Sequence, residues 1–203
     1  MGSEKKPTII ITGFGPFGEH SVNASWVAVQ NLKRRNLLPH LDVHIQEIPV
    51  DYQEVSQIVP NLWKEKNPQL VVHVGVSGMA NKITVEQRGN NTGYERMDVK
   101  GQRPKKKCCI NDGEECILSG IDMSQVCDEI NKAENELEAE VSHDAGRYLC
   151  DFSFYTSLSI DRSRSAFIHV PPLGQPYSED QLGDGLAIAV SAMLKQLTDQ
   201  KSS

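Results

Sequence analysis

The chain reads as an α/β protein, a single domain built on an open, mostly parallel twisted sheet with helices on both faces. Two observations predict this. Apolar runs of strand length alternate with stretches of helical period along the whole 203 residues, and that alternation closes into a parallel sheet covered on both sides. The length is that of one domain, 1–203, and a chain of this size buries roughly 70% of its unfolded surface, enough for a core without disulfide or metal support.

Thr8 to Thr12 is predicted as a buried strand that ends in the turn Gly13-Phe14-Gly15-Pro16-Phe17-Gly18. A helix starts near Asn23 and carries Trp26, Val27, Val29 and Leu32 on one face. Leu41 to Ile48 alternates like a strand and stops at Pro49. Asp51 caps the next helix, which passes Val55, Ile58, Leu62 and Trp63, and Pro60 within it predicts a kink or an early stop. Leu70 to Gly75 is a continuous apolar strand, and Ile83 to Glu86 a shorter one. The stretch 89–120 is polar, glycine-containing and weakly periodic, so an irregular, mobile excursion is expected there. Asp122 caps a helix through Val126 and Ile130, and Glu140 to Ser142 is a short strand. A helix then opens around Cys150, and Ser165 to Val170 is the last strand, ended by Pro171-Pro172. Ser178 caps a C-terminal helix with Leu182, Leu186, Ile188, Ala189 and Met193, and the tail 199–203 is expected to fray.

Composition removes several function classes. A net charge of −6, with Lys105-Lys106-Lys107 only a short basic run, gives no support for nucleic-acid binding. Met1 to Pro7 is charged and the apolar run after it is short, so neither a secretory signal nor a membrane span is expected, and the cytoplasm is the default address. Five cysteines is an odd number for a closed disulfide framework. Cys108, Cys109, Cys116 and Cys127 lack the paired spacing of a zinc site, so no metal is expected.

The glycine turn matches G-x-G-x-x-G after a strand, which raises a dinucleotide reading. Two things oppose it. Helix signals begin only near Ser21 to Ser25, so no helix N-terminus opens inside the turn to meet a pyrophosphate, and Phe14, Pro16 and Phe17 fill the space phosphate oxygens need.

Cys150 and His169 carry the stronger signal. Cys150 lies in the first turn of a predicted helix, where the helix dipole favours a thiolate, and His169 closes a strand nineteen residues later. Ligands of such sheets bind at strand ends, and Gly13, Gly75, Cys150 and His169 all sit at or just past them. A cysteine, a base and a carboxylate that orients the base make a nucleophilic set. For the carboxylate the residues leave Glu86, Asp144 and Asp151 open.

Four motifs in order resemble pyroglutamyl-peptidase I, a cysteine peptidase family, over nearly the whole chain and most closely in its vertebrate form. They are Thr12 to Gly18; Gly75-Val76-Ser77-Gly78 with Glu86 and Asn91 downstream; Ala145-Gly146-Arg147-Tyr148-Leu149-Cys150; and Phe167-Ile168-His169-Val170-Pro171-Pro172. The resemblance implies a three-layer α/β/α sandwich and removal of an N-terminal pyroglutamyl residue from peptides through a thioester. It implies Cys150 as nucleophile, His169 as base and acid, and Glu86 as orienting carboxylate. It also places Phe14 and Phe17 against the substrate ring, with Asn23 as a nearby polar or structural contact. No cofactor and a monomeric state are expected. Three departures stand out: Gln87 follows the glutamate where the family has a basic residue, Asp151 replaces the asparagine of many bacterial members, and 89–120 matches the bacterial pattern poorly. The alternative is a dead or slow module that binds pyroglutamyl or similar amides.

Overall fold

The computed structural model describes residues 6–18, 21–133 and 136–201. Eight strands and five α-helices follow one another as β1 (Thr8–Phe14), α1 (Ala24–Arg34), β2 (Asp42–Ile48), α2 (Tyr52–Lys66), β3 (Leu70–Val76), β4 (Ile83–Glu86), β5 (Arg88–Asn90), β6 (Cys116–Leu118), α3 (Met123–Lys132), β7 (Ala139–Ser142), α4 (Leu149–Asp161), β8 (Ser165–Val170) and α5 (Glu179–Lys201). Six strands form one sheet in the order β2-β1-β3-β8-β4-β7. Every neighbouring pair is parallel except β4 and β8, so β4 and β7 run against the other four. The expected α/β architecture with a mostly parallel sheet is what forms.

The period of two along each strand sorts side chains into two layers. Ile9 and Ile11 of β1, Val72 and Val74 of β3, Ile83 and Val85 of β4, and Ile168 and Val170 of β8 pack with α1, α3 and α5. Ile10 and Phe14 of β1, Val71 of β3 and Phe167 of β8 face α2 and α4. The same alternation puts Gly75, Glu86 and His169 on the α4 side. The fold thereby gives four residues remote in the chain one shared location: three strand positions and the first turn of α4, where Cys150 sits.

Local chemistry sets the helix starts. The Asn23 side chain accepts from the Ser25 N–H, Asp51 from Gln53 and Glu54, and Asp122 from Ser124 and Gln125. These N-caps satisfy amides that have no partner inside the helix. Tyr148 opens α4 with no side-chain cap, which leaves the first amides of that helix available at the site.

Three expectations need correction. Pro60 does not stop its helix, because α2 continues to Lys66 and ends where Asn67 takes a left-handed conformation (φ 43°). Burial of Val55, Val59 and Trp63 holds the helix on both sides of the proline. The stretch 89–120 is not irregular throughout. Its ends pair as the antiparallel ladder β5–β6, and Tyr94, Asp98 and Ile117 inside it are buried. The tail does not fray at residue 199, since α5 runs through Asp199 to Lys201; Ser202 and Ser203 lie outside the described residues.

Candidate active site

His169 is almost fully buried, and its Nδ1 lies 2.8 Å from Glu86 Oε1. The Cys150 thiol is its other neighbour: both line one cleft, and the sulfur lies against Gly75, which pairs with His169 across the strands. Burial by itself lowers the His169 pKa. The electrostatic pull of Cys150, joined by that of Glu86, outweighs burial and raises it well above the ordinary value. The arrangement thus favours the protonated imidazole. The Phe167 ring packs against the imidazole with centroids 4.7 Å apart. Glu86 is buried too, and its second oxygen, Oε2, has no hydrogen-bond partner among the described residues.

Gly75 supplies the space for the sulfur. It pairs with His169 across β3 and β8, and a Cβ built there would stand 2.7 Å from Cys150 Sγ and 2.8 Å from Phe167 Cζ. Any side chain at this position would displace the thiol or the ring that supports the histidine. Sequence reasoning had placed Gly75 at a strand end without giving it a task. Its task depends on the strand register, which local pattern does not reveal.

The two other candidate carboxylates are occupied elsewhere. Asp144 Oδ1 lies 2.6 Å and Asp151 Oδ2 3.0 Å from the Arg147 guanidinium. Asp151 also accepts from the Asn90 backbone N–H at 3.0 Å, tying α4 to the end of β5. Burial pushes Asp151 up to about 6 despite these partners. Gln87, the departure beside Glu86, points away from the thiol. Its Nε2 donates to the carbonyls of Ser119 and Ile121, and its Oε1 accepts from the Met123 N–H. It staples β4 to the start of α3. A lysine could serve the two carbonyls but could not accept from Met123.

Two spaces meet at Cys150. One is a slot of about 20 Å³ lined by Phe14, Phe17, Asn23, Val76 and Tyr148, which is room for about one water. The other is an open cleft of about 750 Å³ that also reaches His169 and Glu86. Phe14 is buried and Phe17 half-buried at the slot. Asn23 is committed to the fold: its amide donates to the Gly15 carbonyl, and its oxygen accepts from Ser25 N–H and Oγ. The Gly13–Gly18 turn opens no helix, because α1 starts only at Ala24. Gly13 is there for packing, with the Trp26 backbone against the place its Cβ would take, 2.7 Å away. Among the described residues no cluster of three His, Cys, Asp or Glu could hold a metal ion, and no helix is long and apolar enough to cross a membrane.

The sequence model of the Pyroglutamyl peptidase family matches residues 7–198. This chain belongs to that family. It is 51% identical to Pyroglutamyl-peptidase 1 of Rattus norvegicus over 94% of this chain and 91% of the relative. It is 50% identical to the Homo sapiens protein of the same name, over 96% and 93%. Among solved structures, the pyroglutamyl peptidase I of Bacillus amyloliquefaciens superposes with a TM-score of 0.81 at 25% identity, over 93% of this chain and 95% of that one. The pyrrolidone carboxyl peptidase of Thermococcus litoralis shares the fold, with a TM-score of 0.82 at 21% identity over 96% of each chain. The family therefore spans nearly the whole length of this chain, and Cys150, His169 and Glu86 lie together at the strand ends of its sheet.

Proposed function

We propose that this family member removes an N-terminal pyroglutamyl residue from peptides, with Cys150 as nucleophile, His169 as proton carrier and Glu86 as the group that orients it. One observation carries the reading. The Cys150 thiol and the Glu86 carboxylate both adjoin one buried imidazole, where an aromatic slot meets an open cleft.

The chemistry follows from that arrangement. The thiolate attacks the pyroglutamyl carbonyl carbon and forms a C–S bond, while the electron pair moves to oxygen. The amides at the uncapped start of α4 are placed to donate to that oxyanion. Collapse of the tetrahedral species breaks the C–N bond, and His169 gives its proton to the departing amine. Water then attacks the thioester, losing a proton to His169, and pyroglutamate leaves with the thiol restored. Glu86 keeps Nδ1 as the donor toward itself, so Nε2 faces the reacting atoms. Phe14 and Phe17 take the flat faces of the lactam. A slot that holds about one water must open for this ring. Asn23 supports the slot from behind.

The substrates are peptides bearing pyroglutamate, and we place the enzyme in the cytoplasm as a monomer, folded as one domain over 1–203. The experiment is release of a fluorescent amine from a pyroglutamyl amide beside its prolyl counterpart. Turnover of the first alone, abolished by a thiol alkylator, is the expected result. Equal turnover of both, or turnover that survives alkylation, would overturn the reading.

A further inference from the structure

We infer that Arg96 makes this site prefer peptides with an acidic residue directly after the pyroglutamyl group. The inference rests on the peptidase reading above. It begins from the two spaces that meet at Cys150. Phe14 and Asn23 line only the slot, and Arg96 lines only the cleft, while Tyr148 and Phe17 line both. With the ring in the slot and its carbonyl at the sulfur, the departing part of the peptide occupies the cleft. Arg96 is therefore next to what leaves, not to what is acylated.

The charges of the cleft are mostly spent. Glu86 is held by His169, and Asp144 and Arg147 pair with each other, with Arg147 also on Asp151. Glu140 remains, exposed on β7, the outermost strand. Two strand spacings separate it from His169, about 10 Å. Arg96 makes no ion pair with any described residue. Its guanidinium carbon sits 4.2 Å from the centre of the Tyr148 ring, two residues from the nucleophile. The ring face holds the cation in place. The guanidinium N–H groups remain for an acceptor, and their planar fork matches a carboxylate.

The segment that carries Arg96 is fixed on both sides, so little order has to be gained on binding. The Arg96 carbonyl accepts from the Tyr52 hydroxyl at 3.1 Å, and the Met97 carbonyl from the Tyr148 hydroxyl at 3.1 Å. Buried Asp98 gathers the backbone N–H groups of Tyr52, Lys100 and Gln102. The net charge of −6 opposes approach of an acidic peptide at long range. A preference for acid must then arise at contact and is read in KM.

The test compares pyroglutamyl-glutamyl, pyroglutamyl-glutaminyl and pyroglutamyl-lysyl amides with the full chain and its Arg96→Ala and Arg96→Lys variants. We expect kcat/KM to favour Glu over Gln by about three- to tenfold at low salt, carried by KM. Arg96→Ala should bring that ratio to about one, Arg96→Lys should keep part of it, and molar salt should shrink it. A wild-type ratio near one, a ratio that survives Arg96→Ala, or a faster lysyl substrate would overturn the inference and leave the peptidase reading standing. So would a loss in Arg96→Ala that falls equally on all three, because Arg96 would then only prop Tyr148. Failure to cleave any of the three would overturn the peptidase reading itself and this inference with it.

Discussion

His73 and His169 stand on neighbouring strands of one sheet, on the same face, and the protein treats them in opposite ways. His73 is fully buried between the hydroxyls of Thr12 and Ser157, at 2.7 and 2.6 Å, and Ser157 also accepts from Trp63 Nε1. All its partners are neutral, so burial drives its pKa down to about 3. His169 is nearly as buried, yet its partners are Cys150 and the Glu86 carboxylate, and its pKa rises. Similar burial with unequal partners yields a structural imidazole that is neutral at neutral pH in one place and the proposed proton carrier in the other. The partners, not the depth, make the difference, and each can be removed singly.

Removing the thiol should have the largest effect. Cys150→Ala is expected to lower pyroglutamyl amide turnover by about 10⁴-fold or more. It should also make His169 more like His73: with its leading upward influence gone, the His169 pKa should fall, as measured by NMR titration of the imidazole. If the His169 titration stays where it is in the wild type, the coupling described here is wrong.

Next comes the carboxylate. Glu86→Gln keeps the shape but offers Nδ1 no charge, and turnover should drop on the order of 10³-fold with the unfolding midpoint little moved. Asp151→Asn is the control for the rival carboxylates. An amide oxygen can still accept from the Asn90 N–H, so turnover within about threefold of wild type is expected. The reverse ranking would transfer the orienting task to the α4 side.

Gly75→Ala should follow, at about 10²-fold. One methyl must share space with Cys150 Sγ and the Phe167 ring, and overpacking of this kind costs about 1–3 kcal/mol. The expected signature is a fall in kcat with altered iodoacetamide kinetics while circular dichroism is retained. Wild-type alkylation and turnover would show that the sulfur does not depend on this gap.

The alternation of β1, β3 and β8 was legible because period-two burial is a local property: Ile9 and Ile11 part from Ile10 in the sequence as they do in the core. The caps at Asn23, Asp51 and Asp122 were legible for the same reason. Strand direction was not. Nothing local in Ile83 to Glu86 tells that β4 runs against β8, and that reversal brings Glu86 opposite Phe167 and diagonal to His169. The stretch 89–120 looked irregular because its order comes from side chains reaching other elements. Tyr94 donates to the Asn90 carbonyl and Tyr155 to that of Glu114, and such contacts leave no periodic trace. Choosing among Glu86, Asp144 and Asp151 needed the position of Arg147, which draws two of the three away. The cysteine and histidine could be singled out because helix starts and strand ends are themselves local signals.

The smallest effect on turnover belongs to His73, and it closes the comparison on stability. Its folded pKa is depressed and an unfolded histidine takes its proton near 6.5, so below that value the unfolded chain binds more protons. Stability from this residue is therefore complete above about 6.5 and is lost as pH falls toward 3, by a few kcal/mol in all. Urea unfolding between pH 7 and 4 should thus show declining stability. His73→Gln should flatten the decline while costing about 1–3 kcal/mol at pH 7 through the hydrogen bonds it disturbs. An unaltered slope in that variant would mean that another group takes up the proton, and that His73 is not the neutral counterpart of His169.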